Sequence, residues 1–219
     1  PPKDILDLVM AKPTPGISID SKGEWMLLME RSSFPSVEEL AQPELRIAGL
    51  RINPKNFGPS RSGYAVNLIL RNIKTRQEYP ISGLPSNLKA GSIQWSPGET
   101  KIAFTHTTND HIDLYIVEVA TQTAKKINTS SLNTVTGGSF SWINDSKLVY
   151  KTVPANYRAY PPAPLAPKGP VVQENLGKSA ASRTYQDLIK NGYDEDLFDY
   201  MATSQLTINE SGTENYLRI

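Results

Sequence analysis

From Gly91 to Asn128 the chain alternates short apolar runs with turn chemistry. Ser92-Ile93-Gln94-Trp95 alternates polar with apolar and is broken by Ser96-Pro97-Gly98. Proline presets φ and glycine accepts positive φ, so Pro97-Gly98 suits a tight turn. Lys101 to Phe104 forms a second run, and Leu114 to Val119, rich in β-branched and aromatic residues, a third. After the polar turn Ala120 to Thr123, Ala124 to Ile127 forms a last short strand. Strands divided by turns at such short intervals predict an antiparallel meander without helix. One such meander has two open edges and little core, so it needs neighbours.

The pattern recurs. "GSFSWINDSKLVYKT" at 138–152 repeats the first hairpin, with Trp142 in the place of Trp95 at a blade-sized interval of about 47 residues. "GISIDSKGEWMLLME" at 16–30 is a further copy, and "NLILRNIKTRQEYPISG" at 67–83 supplies its second hairpin. "DYMATSQLTIN" at 199–209 and "NYLRI" at 215–219 read as the late outer strands of the last copy. The expected fold is all-β, with about three four-stranded β-propeller blades over 16–84, 91–128 and 137–219 in an incomplete ring. A β-sandwich also has short strands, but shared positions within the repeat favour the propeller over it.

Long insertions interrupt the first and last copies. In 31–66, Ser36 and Glu39 have the spacing of a capping box, so Ser36 to Leu40 is expected to form a helical turn. Leu45, Ile47 and Leu50 suit a strand there. Arg46, Arg51, Lys55 and Arg61 make this the most basic region. They form either a solvated loop face or, through Arg46, Arg51 and Arg61, a set of guanidinium groups that contacts a substrate carboxylate. In 153–198 a proline-rich half precedes a helix expected over Ser182 to Ile189, with Asn191-Gly192 as its stop. Asp194, Glu195, Asp196 and Asp199 follow as an acidic cluster, read as a solvated turn rather than a calcium loop.

Composition narrows the chemistry. A formal net charge of +1 creates no strong field toward nucleic acid or acidic lipid. No apolar run approaches the ~20 residues of a membrane span. With no cysteine, disulfides, thiolate catalysis and Cys-ligated zinc are excluded. The two histidines, His106 and His111, fall beside Asp110 and Asp113; an exposed loop is favoured there over a metal site. G-x-S-x-G, P-loop, G-x-G-x-x-G and H-E-x-x-H patterns are missing. No catalytic residue, metal or cofactor is therefore assigned.

With the repeats placed, "WSPGETKIAFTHTTNDHIDLYIVEVATQTAKKI" resembles the TolB-type blade of prolyl oligopeptidase family serine peptidases. "PPKDILDLV", "SVEELAQPELRIAGLRINP" and "TYQDLIKNGYDEDLFDYMATSQL" resemble the N-terminal part of the glutamyl endopeptidase branch, and the resemblance covers nearly the whole chain. It implies a parent enzyme in which a propeller caps an α/β-hydrolase domain that holds the Ser-Asp-His triad. This chain would be the non-catalytic propeller fragment, gating access of peptide substrates. Its expected partners are the remaining blades, the hydrolase domain and peptide substrate, with hydrolysis after glutamate as the branch name implies. No triad residue carries over. A periplasmic or extracellular bacterial location follows from the resemblance and the start at Pro1. Three blades leave two faces open, so self-association is expected. The alternative is a stand-alone binding module for a peptide or protein partner.

Overall fold

The computed structural model describes residues 2–155, 158–165, 177 and 187–217. A short helix, α1 (Lys3–Val9), precedes a hairpin of β1 (Gly16–Ile19) and β2 (Trp25–Arg31). Then come α2 (Val37–Leu40), β3 (Leu45–Ile47), β4 (Leu50–Asn53) and β5 (Gly58–Pro59). Only afterwards does β6 (Ala65–Asn72) return to pair with β2, and β7 (Glu78–Pro80) with β6. A second meander is continuous: β8 (Ala90–Trp95), β9 (Lys101–Thr107), β10 (Ile112–Glu118) and β11 (Thr123–Lys126). The third has β12 (Phe140–Asn144) and β13 (Lys147–Thr152), then α3 (Gly192–Ala202), then β14 (Gln205–Glu210) and β15 (Thr213–Tyr216). All pairings between these strands are antiparallel, and β3, β4 and β5 form a small sheet of their own. A single pair, Ala65 with Ala90, joins β6 to β8.

The three meanders are layered on one another through two cores. Leu27, Leu68 and Leu70 of the first meander pack with Ile102, Phe104 and Val117 of the second. Ala103, Ile112 and Leu114, also from the second meander, pack with Phe140, Leu148 and Tyr150 of the third. Side chains alternate faces along a strand. Ile102 and Phe104 therefore enter one core while Ala103, between them, enters the other. Burial on both faces explains why the centre of β9, from Ile102 to His106, is wholly buried. Each fully buried large aliphatic or aromatic side chain contributes roughly 1.5–3 kcal/mol relative to exposure. The β1–β2 turn also grips the β8–β9 turn, where Ser21 donates its backbone N–H and hydroxyl to Glu99 at 2.8 and 2.6 Å. Gly98 of that same turn donates to Asp145 in the β12–β13 turn at 2.7 Å.

The two insertions meet in a third core. Ile47 and Ile52 of the β3–β4 hairpin pack against Val135 and against Leu197 and Met201 of α3. The capping box at α2 is formed, with Ser36 and Glu39 exchanging both bonds. The helix expected over Ser182 to Ile189 lies outside the described residues except at 187–189, which are not helical. The described helix begins where that one was expected to stop. Asn191 is the N-cap of α3 and accepts the N–H of Asp194, while Asp194 and Glu195 occupy the first turn, where a carboxylate favours the helix dipole. The strand read over 199–209 accordingly starts only at Gln205.

Candidate functional site

The β3–β4 register sets Arg46 directly opposite Arg51. Like charges so placed repel across a sheet. Glu44, two residues before Arg46 on the same extended segment, relieves the pair. Its Oε1 lies 2.7 Å from Arg46 Nε and 3.7 Å from Arg51. Its Oε2 accepts the Ser60 hydroxyl at 2.6 Å and lies 3.6 Å from Arg61 Nε. The structure thus brings the three arginines of the basic insertion together around an internal carboxylate. The Ser60 hydroxyl and the Arg46 guanidinium hold the Glu44 carboxyl down to about 2. The Glu44 side chain is only 7% exposed, whereas the three arginines are about half exposed and retain outward-facing donors. Sequence reasoning missed Glu44. The signal was its i, i+2 spacing to Arg46, which puts both on one face of a strand.

Beside this cluster runs a cleft of about 1040 Å³, bounded by the segment carrying α2 on one side and by residues at the ends of β2, β6, β8 and β9 on the other. Of the three arginines, Arg61 lines it; Arg46 and Arg51 do not. Arg31, at the end of β2, and Lys89, just before β8, add two more cations. Arg61 is held at φ 54°, a left-handed conformation uncommon for a branched, bulky or long side chain. The α2 segment is tied across the cleft by Glu39 to Lys89 at 3.2 Å and by Asn109 to Glu38 at 2.6 Å.

His106 lies in the cleft wall and is 7% exposed. Its Nδ1 accepts the backbone N–H of Lys89 at 3.2 Å, which places the proton of the neutral ring on Nε2. Burial pushes its pKa down. His111 is 3.0 Å from the Thr108 hydroxyl and 3.3 Å, through Nε2, from Asp113, a superficial nucleophile–base–acid array. The geometry does not support that chemistry. His111 Nδ1 also faces Asp110 at 2.7 Å, and the Thr108 hydroxyl is turned to Asp110 and to the His111 carbonyl. Asp113 is paired with Lys126 at 2.7 Å. Among the described residues no group of three metal-ligating side chains comes together, and the acidic cluster, expected as a turn, lies within helix α3, Asp194 and Glu195 in its first turn. No described helix is long and apolar enough to cross a membrane.

Stacked four-stranded antiparallel meanders with helical and hairpin insertions define an all-β, propeller-like protein. No family model matches the chain. It is 32% identical over 222 residues to the "Probable glutamyl endopeptidase, chloroplastic" of Oryza sativa subsp. japonica, covering 95% of this chain and 24% of that protein. The protein of the same description from Arabidopsis thaliana is 32% identical over 221 residues, covering 95% and 23%. The chain's relatives are thus glutamyl endopeptidase-like proteins of the prolyl oligopeptidase family, and it spans about a quarter of their length. Among solved structures, an acylaminoacyl peptidase in complex with Z-Gly-Gly-Phe-chloromethyl ketone aligns at TM-score 0.42 and 12% identity, covering 93% of this chain and 25% of that one. The AtxE2 isopeptidase aligns at TM-score 0.41 and 12% identity, covering 95% and 30%.

Proposed function

We propose that this chain is the propeller part of a serine peptidase, and that it limits which substrates reach a hydrolase domain supplied elsewhere in the parent protein. The observation that carries this reading is the 32% identity to glutamyl endopeptidases across 95% of the chain, insertions included. A non-catalytic role agrees with a site made of guanidinium groups, hydroxyls and a buried neutral histidine rather than an activated nucleophile. Preference for glutamate in the substrate belongs to the same proposal, with Arg46, Arg51 and Arg61 as contact candidates and Arg61 the best placed of them. So do a periplasmic or extracellular location and docking of further blades on the outer meander faces.

The test is to express the complete reading frame that contains this chain and assay it on short peptides and on folded proteins. Labelling of one serine by a fluorophosphonate probe, with cleavage of glutamate-containing peptides and sparing of folded substrates, is the expected result. A complete product that neither labels nor cleaves overturns the peptidase reading.

A further inference from the structure

The cleft has more binding capacity than its internal bonds consume. Among the described residues, the Arg31 guanidinium has no carboxylate within ion-pair distance, and Tyr64, Ser62, Ser86 and Asn87 make no side-chain hydrogen bond. Its two carboxylates are already used, Glu39 by Lys89 and Glu38 by Asn109. Arg61 shares one carboxylate with two other arginines, so the cationic charge on that wall exceeds what Glu44 neutralises. Apolar surface lies beside these groups: Phe34 and Val66, 57% and 43% exposed, both face the cleft. At about 1040 Å³ it stands at the upper end of the ~300–1000 Å³ usual for small-molecule sites. That size, with the side-chain hydroxyls and amide of Ser62, Tyr64, Ser86 and Asn87 along its wall, fits an extended peptide better than a compact metabolite.

We propose that this cleft binds an extended peptide by an acidic side chain held between Arg31 and Arg61, with the neighbouring apolar residue of the peptide against Phe34 and Val66. Arg31 was not among the residues singled out from the sequence. A planar guanidinium matches a carboxylate with two parallel bonds, which a point-charge lysine does not reproduce. The left-handed backbone at Arg61 sets this residue in the cleft wall while its Nε stays 3.6 Å from Glu44, to which the Ser60 hydroxyl beside it also donates. The inference rests on the peptidase reading only in taking the ligand to be a peptide. Binding needs no hydrolysis, so it is measured separately from catalysis.

The experiment is fluorescence anisotropy on the 219-residue chain at low ionic strength. The probe is a short labelled peptide, acetylated and amidated, with one central glutamate as its only carboxylate; a glutamine analogue is the comparison. The glutamate peptide is expected to bind about tenfold more tightly. Arg31→Gln and Arg61→Gln should each remove most of that preference, Arg31→Lys should restore part of it, and Lys125→Gln, on exposed β11, should leave it unchanged. Equal affinity for the two peptides overturns the proposal, as does an equal loss in Lys125→Gln, which would mean diffuse charge attraction. If Arg61→Gln loses its fold by circular dichroism, Arg31→Gln decides alone, because no ion pair of the fold depends on that side chain. Loss of peptidase activity in the parent with glutamate binding intact would sink the enzyme reading and leave this site standing.

Discussion

Trp95 donates its indole N–H to Ser18 Oγ at 2.9 Å, a bond between strands β8 and β1 of adjacent meanders. Trp142 holds the equivalent place in the third meander, and its buried indole N–H has no partner. The repeat explains the difference. Aligning the turn glycines Gly23 and Gly98 sets Ile93 where the first meander has Ser18, so the second meander offers no hydroxyl at that position. Trp95→Phe should cost about 1 kcal/mol more than Trp142→Phe, the worth of one net hydrogen bond. Urea unfolding of the two variants measures this, and equal losses would contradict the account.

Gly83 has φ +76°, and a Cβ there would stand 2.4 Å from the Ala124 backbone oxygen. Backbone cannot swing aside as a side-chain tip can, and Ser82 on one side of the contact is bonded to Gln122 and Ala124. Gly83→Ala combines a left-handed penalty with a clash, so a loss of about 3 kcal/mol is expected in denaturant titration. Gly63→Ala, whose Cβ would meet open space, serves as the control.

Glu44 gives a pH signature. Its carboxyl is depressed to about 2 in the folded chain, against roughly 4.3 in an unfolded one. A depressed carboxyl binds fewer protons folded than unfolded, so its contribution is full above the unfolded value. That contribution is lost as pH falls from about 4.3 toward 2. The stability gap between the native chain and Glu44→Gln should therefore close over that interval. A gap that stays constant with pH would show that Glu44 acts through packing alone.

His106 works in the opposite part of the scale. Burial lowers its pKa below the ordinary value of about 6.5, and Nδ1 must stay unprotonated to accept from Lys89. The unfolded chain then binds the extra proton first, so stability is full above about 6.5 and declines as pH falls through that value toward the folded pKa. His106→Gln should remove this part of the slope in melting temperatures measured across the interval. An unchanged slope would show that His106 does not set it.

Tyr150 is 1% exposed, and its hydroxyl donates to Glu214 at 2.5 Å. The same carboxylate accepts from the Thr129 backbone N–H and hydroxyl, tying β15 to the segment leading from the second meander to the third. Burial, then the bond to Glu214, pushes the Tyr150 phenol far up. Tyr150→Phe should cost about 2 kcal/mol, as expected for a bond to a charged acceptor. In a spectroscopic tyrosine titration the native chain should retain one phenol that ionises only on unfolding, and Tyr150→Phe should lack it.

The hairpins were legible because local pattern alone produces them: Trp95 and Trp142 follow alternating residues, and turn residues close each loop. The α2 capping box was legible for the same reason, since Ser36 and Glu39 are three residues apart. α3 was misread at its start, because Asn191-Gly192 serves equally as a helix stop and as a helix cap. What decided it was tertiary: Leu197 and Met201 bury against the β3–β4 hairpin, far away in sequence. The arginine cluster was found by its charge, but its centre, Glu44, and its cleft neighbour, Arg31, depend on strand register and on a fold that brings β2 beside the basic insertion.

The placement of the insertions also sets an order of assembly. β8 to β11 follow one another through short turns, so the middle meander closes only local loops. β2 must find β6 across residues 32–64, and β13 must find β14 across residues 153–204. Closing a longer loop costs more entropy before any contact rewards it, and low contact order goes with fast folding. The central meander is thus the natural nucleus, and amides of β9 and β10 should gain protection first in pulsed hydrogen exchange. The β3–β4 hairpin that carries Arg46 and Arg51 closes locally, but the cleft needs Arg31 of β2 and His106 of β9 set against the α2 segment, so it is the last part of the molecule to take shape and the first to be lost in partial unfolding.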